Sequence, residues 1–419
     1  MSIKTKKGRR VNERALIATV DVSKVMNTGY YRCPDGRDVK PFLFSNSGEG
    51  FKKFWERIAQ AKERYGLEEI VVGIESTGSY GEPLLHYLKK RGATLVQVNP
   101  MHTKKLKELE DNSPQKSDEK DPKVIADIIE YGHALTVVIP EGAAAELRRL
   151  SQARERNMVR RIALLNQLQG LVGIIFPEFL EVMKGVNSVS SRYLLKKYPR
   201  PEDILGAGLP GLTAVLKKMS RGKLKAERAE ALYEAAQTSI GIKEGQGSIV
   251  MEIGEAISLI ETHERFTDSL EKKMSEYLGQ IPSSRFILSM KGIGIVTTAG
   301  IIGEIGDFSK FRTIAEIMKL AGLNLCEVSS GRHTGQRHIS KRGRSFLRKL
   351  LYFAALNTVR KGGVMHEIYQ QHVEKGMPKG KAIIAIARKI LGIIYALVRN
   401  ESLYLSDYVK AQDRMKEAA

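Results

Sequence analysis

Cysteine is nearly absent: only Cys33 and Cys326 occur in 419 residues. That excludes a disulfide-stapled scaffold and is the usage of a reducing compartment, so a cytoplasmic location is expected. Long apolar runs are also missing. The longest, Ala382 to Val398, is interrupted by Arg388 and Lys389, short of the ~20 apolar residues a membrane span needs. The N-terminal MSIKTKKGRRVNER has no apolar stretch, so it is not the pattern of a secretory signal. Carboxylates are absent from residues 328–366, a stretch that carries nine Lys/Arg. A plain solvated face mixes both signs, so phosphate binding is the expected role of that stretch.

What is present agrees with this. Lys and Arg number 68 against 47 Asp and Glu, a formal net charge of +21. A chain this basic repels itself unless a polyanion is near, and without a membrane signal nucleic acid is the expected partner. Apolar residues make up 42%, enough for a real core. The length suggests about three structural units.

Four segments follow one another. Residues 1–14 form a basic arm with six Lys/Arg and one Glu. Residues 15–138 read as an α/β domain. ALIATVDV is β-rich, and two extended runs flank the hairpin signal Asp35-Gly36. An amphipathic helix over 47–65 precedes the buried strand EEIVVGIEST, a helix ending at Gly92 and the strand ATLVQVNP. A polar loop over 105–120 and a helix from Pro122 complete the domain. Three strands, then alternating helices and strands, is a ribonuclease-H-like order. Residues 139–280 read as two long helices around a proline- and glycine-broken insertion over 187–243, a coiled-coil-like arm. Residues 281–419 read as mostly helical, with a helix-hairpin-helix rhythm in MKGIGIVTTAGIIGEIGD and a strongly apolar last helix.

Two sets of residues could carry chemistry. Asp21 and Glu75 end two strands, while Asp118 and Asp121 precede a helix. Carboxylates that converge at a sheet edge need a cation between them, and Mg²⁺ or Mn²⁺ suits oxygen donors and phosphate. Asp121, directly before Pro122, is expected to cap the helix rather than lie in it. The second set is a serine in a basic, glycine-containing loop, Glu327-Val328-Ser329-Ser330-Gly331-Arg332-His333. A serine attacks a phosphodiester when its proton is taken and the developing charge is stabilised; by composition alone, the loop is only a turn.

The motifs VDVSK (20–24), GIESTGSY (73–80), NP (99–100), KSDEKD (116–121), KGIGIVTTAGIIGEIGD (291–307), AGLNLCEVSSG (321–331) and ISKRGRSFLRKLLYFAA (339–355) share an order and spacing. In these the chain resembles the DEDD transposases of bacterial insertion sequences, a family that includes Piv-type DNA invertases. The resemblance covers both end domains. It implies a RuvC-like N-terminal domain with its acidic tetrad at Asp21, Glu75, Asp118 and Asp121. It also implies a C-terminal transposase domain whose nucleophile aligns with Ser330, with Ser329 the alternative. It further implies strand exchange on donor and target DNA through a phosphoserine intermediate, homodimers or homotetramers, and guidance by a structured RNA. Arg332, Arg337, Lys341 and Arg342 are the expected phosphate contacts, joined by Arg148 and Arg149 on an Arg-rich helix. A resolvase-type metal nuclease without a covalent adduct, and a non-catalytic nucleic-acid-binding protein, are the competing classes.

Overall fold

The computed structural model describes residues 14–75, 78–111, 120–327 and 337–405. The chain divides into two compact units, one ending at Ile139 and the other beginning at Pro140.

The first unit is built on a six-stranded mixed sheet. Strands β1 (Ala15–Asp21), β2 (Met26–Arg32) and β3 (Phe42–Ser45) form an antiparallel meander. Gly36, at φ +86°, makes the turn predicted at Asp35-Gly36. Helix α1 (Gly48–Arg64) follows, its first turn capped by the Ser47 hydroxyl. Then come β4 (Glu69–Glu75), α2 (Glu82–Lys89), β5 (Thr94–Val98), α3 (Pro100–Asp111), α4 (Lys120–Glu130) and the short β6 (Leu135–Thr136). The strand order is β3-β2-β1-β4-β5-β6, with β1, β4 and β5 parallel.

β1 is buried over almost its whole length because both faces of the sheet are covered. Leu16, Ala18 and Val20 face Phe54, Ile58, Leu84 and Leu88 of α1 and α2. Ala15, Ile17 and Val71 face Val124, Ile125 and Ile129 of α4. The period of two along each strand therefore assigns every side chain to one helical layer.

Two expectations need correction here. Residues 105–111, read as the start of a polar loop, belong to α3. Asn99 accepts from the Met101 N–H at 2.9 Å and Pro100 occupies the first turn, a pairing that starts helices. Asp121 does not cap α4 from outside: the helix already includes Lys120, so both Asp121 and Pro122 lie in its first turn, where a proline costs no hydrogen bond.

Among the described residues the second unit is helical apart from one small ribbon. Helix α5 (Gly142–Ile175) runs into α6 (Pro177–Met183), α7 (Val189–Lys197), α8 (Pro201–Met219) and α9 (Ala226–Gln237), and α10 (Gln246–Leu278) returns. α5 and α10 pair antiparallel through Arg154–Glu271 and Arg161–Glu264, each 2.7 Å. Asn157 donates to the His263 carbonyl at 2.7 Å between them. α6–α9 form an inserted module with its own core, including Phe176, Phe179, Leu194, Leu212, Leu216 and Leu232.

α11 (Ser284–Leu288) and α12 (Ile295–Ile305) meet through the Gly292-Ile293-Gly294 turn. Gly292 has φ +100°, and a Cβ there would lie 2.9 Å from Thr358. α13 (Ile314–Ala321), the ribbon β7 (Leu325–Cys326) with β8 (His338–Ile339), α14 (Ser345–Thr358), α15 (His366–Glu374) and α16 (Lys379–Arg399) complete the unit. α16 is a core helix, burying Ile383, Ile386, Ile390 and Ile394. α12 packs against both α5 and α10, so the stretches on either side of residue 280 fold into one unit. Among the described residues no single helix is long and apolar enough to cross a membrane.

Candidate active site

The acidic site is set by strand register. Val20 of β1 lies opposite Ile74 of β4 in a parallel pair. Asp21 and Glu75 are the next residues, so they end adjacent strands at the same edge. The period of two puts both on the α4 side, because Thr19 and Gly73, two residues earlier, face α4. The Thr19 hydroxyl donates to the Pro122 carbonyl at 2.6 Å, and a Cβ on Gly73 would run into the Ile129 side chain. Gly73 thus lets α4 lie close to the sheet, and Thr19 pins its first turn beside β1.

That first turn carries Asp121, which is buried and paired with the Lys107 ammonium of α3. Burying a carboxylate is costly unless it is paired, and Lys107 is the partner. α3 also reaches Glu75, through the Thr103 hydroxyl at 3.2 Å. Thr103 and Lys107 are site residues that sequence reasoning missed, since it placed Lys107 in a loop. Their i, i+4 spacing behind Asn99-Pro100 is the signal that would have found them.

Asp21 and Glu75 thus end adjacent strands at one edge, and the turn that carries Asp121 is pinned beside β1. Asp118 lies outside the described residues. Among the described residues no three potential ligands are close enough to cage an ion. The acids at this edge offer carboxylate oxygens, the donor type that Mg²⁺ or Mn²⁺ takes, and Lys107 is paired with one of them.

In the second unit, Ser330, its alternative Ser329 and Arg332 fall outside the described residues, between the two strands of the β7–β8 ribbon. The ribbon base is closely packed. Gly343 presses against the end of α13, where a Cβ would lie 2.5 Å from the Leu320 carbonyl oxygen. Of the expected phosphate contacts, Lys341 and Arg342 are exposed, and Lys341 adopts φ +54°. Arg337 donates to Glu327 at 2.6 Å.

The carboxylate-free stretch is not all free surface. Arg344 donates to the Glu304 backbone carbonyl and lies 3.4 Å from its carboxylate. Arg348 donates to the Ala321 carbonyl at 2.9 Å, and Lys349 pairs with Glu155. These cations hold α14 to α12, α13 and α5. Arg148 likewise faces Glu304, at 3.8 Å, while Arg149 is exposed. Burial, helped by repulsion from Arg148 and opposed by Glu304, brings the Arg344 guanidinium down to about 10. The missing carboxylates come from distant segments of sequence, so a local charge count could not show these partnerships.

The chain is similar to known proteins over both units. A transposase model of the DEDD IS110 type matches residues 18–177, and a model of the transposase IS116/IS110/IS902 family matches residues 284–370. An IS110 insertion-element protein of Streptomyces coelicolor is 22% identical over 92% of this chain and 95% of its own length. An IS116 insertion-element protein of Streptomyces clavuligerus is 26% identical over 83% and 86%, respectively. An IS900 insertion-element protein of Mycobacterium paratuberculosis is 26% identical over 69% and 73%.

Proposed function

The chain belongs to the IS110 family of insertion-sequence DEDD transposases, and on that premise we propose that it exchanges DNA strands through a serine nucleophile working with an acidic metal site. The observation that carries the reading is the placing of Asp21 and Glu75 at adjacent strand ends on one face, with the Asp121 turn pinned beside them. A RuvC-like domain, a ribonuclease-H relative, uses such an edge for phosphodiester chemistry.

Asp21, Glu75, Asp118 and Asp121 would hold Mg²⁺ or Mn²⁺. When bound, the ion neutralises charge on the scissile phosphate. Lys107 pairs with Asp121, and Thr103 orients Glu75 by its hydrogen bond. Ser330 attacks phosphorus: its Oγ–P bond forms, the bond from phosphorus to a deoxyribose oxygen breaks, and that oxygen takes up a proton. The phosphoserine conserves the bond energy for rejoining, so no free nucleotide is consumed. Arg332, Arg337, Lys341, Arg342 and Arg149 contact the DNA backbone. The active assembly is a homodimer or homotetramer in the cytoplasm, with a structured guide RNA selecting donor and target.

The test is denaturing gel analysis of protein trapped on labelled DNA. Wild type leaves a covalent adduct; Ser330→Ala leaves none and loses exchange, whereas Ser329→Ala retains both. Asp21→Asn lowers exchange by at least the ~10²-fold that follows from removing one charge-stabilising group. Cleavage that survives intact in Ser330→Ala would convert the reading into a resolvase-type nuclease.

A further inference from the structure

The inserted module lies between the segments matched by the two family models, which end at 177 and resume at 284. It is strongly basic. Residues 187–243 hold eleven Lys/Arg against five Asp/Glu, and no carboxylate occurs between Asp203 and Glu227. Five cations crowd the turn joining α8 to α9: Lys217, Lys218, Arg221, Lys223 and Lys225. All five are exposed, and among the described residues none has an ion-pair partner. The contrast with Arg344 and Arg348 is direct, since those turn inward, and the exposed Lys349 is paired with Glu155.

The turn borders a cavity of about 280 Å³. Lys184 and Met183 from the end of α6, Ser188 and Ser190 at the start of α7, and Ser220, Lys223 and Arg228 line it. Arg228 donates to the Val182 carbonyl, tying α9 to α6 and shaping the cavity. The Ser220 hydroxyl accepts from the Leu224 N–H at 2.8 Å, which leaves its own proton to donate. Ammonium groups beside hydroxyl donors suit a phosphodiester oxygen.

The backbone adds an independent observation. Only four non-glycine residues among those described have positive φ, and two of them are the cations Lys184 (φ +55°) and Arg221 (φ +52°) of this patch. Glycine or asparagine would take that conformation at lower cost. Both sit at helix ends, Lys184 as the C-cap of α6 and Arg221 just after the C-cap of α8, which points their side chains out of the last turns.

We propose that the inserted module is a second phosphate-backbone contact for duplex DNA, with the α8–α9 turn on the backbone and one phosphate in the adjoining cavity. DNA is the occupant because it is the substrate of a transposase; the inference rests on that premise and not on the serine chemistry. A contact of this kind positions the duplex and carries no sequence choice.

The test uses the full chain and a labelled duplex, with anisotropy read across a salt series. The variant is Lys184→Asn/Arg221→Asn/Lys223→Gln/Lys225→Gln. Its slope of log affinity against log salt should become shallower by about 0.9 for each phosphate no longer neutralised, on the order of three in total, with affinity at moderate salt down about tenfold or more. A control chain with Lys52→Gln, Lys53→Gln, Lys375→Gln and Lys379→Gln removes equal charge elsewhere and should change the slope far less. Lys184→Asn/Arg221→Asn alone relieves the left-handed strain, so it folds at least as well as wild type and reports about half the effect if the larger variant folds poorly. An unchanged slope, or an equal change in the control, overturns the proposal. So does a loss confined to structured RNA with duplex binding intact. Reduced duplex binding in a chain that forms no phosphoserine would uphold this contact while removing the reaction proposed above.

Discussion

At the residue scale, the most consequential side chain outside the acidic site is Glu304. It is 3% exposed, sits on α12 and faces both Arg148 of α5 and Arg344 at the start of α14. Gln152 adds a hydrogen bond at 3.3 Å. Removing one member of a buried ion cluster leaves like charges facing each other. Glu304→Gln is therefore expected to cost about 3 kcal/mol at neutral pH, read as a lower urea midpoint with an unchanged m-value. The pH dependence has a definite sign. Arg344 is held below its ordinary value, so above about pH 10 the unfolded chain binds more protons and stability rises with pH. Without the Glu304 carboxylate that rise begins at lower pH, so the gap from wild type narrows as pH climbs toward 10. Asp21 and Glu75 were legible in the sequence because each ends a strand whose apolar run is unmistakable. The partners of Arg148 and Arg344 were not, since Glu304 lies over a hundred residues from one of them and forty from the other.

At the scale of elements, close approaches made by glycine set the geometry. Gly303 lets α12 lie directly on α5: a Cβ there would stand 2.6 Å from the Arg148 amide nitrogen and 2.7 Å from its Cα. Backbone cannot give way as a side chain end can. Gly303→Ala should cost about 2–3 kcal/mol by overpacking and separate Glu304 from Arg148, so its effect should be less than additive with Glu304→Gln in a double-mutant cycle. The long helices α5 and α10 were readable from periodicity and length. Their pairing is cemented by Arg154 and Arg161, and Arg148, an expected nucleic-acid contact, is an internal tie facing Glu304. α3 was missed because its polar residues hide a helix whose start depends on two residues, Asn99 and Pro100.

At the scale of the whole molecule, the +21 charge is the property that everything else serves. Its counter-charge is a polyanion, so affinity for duplex DNA should fall on the order of 10³-fold or more between about 50 and about 200 mM salt, measured on the same anisotropy series. Had that affinity been flat with salt, the excess of cations would be solubilising and no more. By itself the sequence determined the alternation of strands and helices, the family and the sign of the partner's charge, because periodicity, composition and motif order are properties of neighbours along the chain. Only the tertiary structure decided which cations turn inward and which remain outside, that Thr103 and Lys107 join the acids, and that the inserted module bears the exposed basic turn. Those outcomes depend on groups brought together across the chain by strand register and helix packing, and a one-dimensional pattern carries no record of such distances.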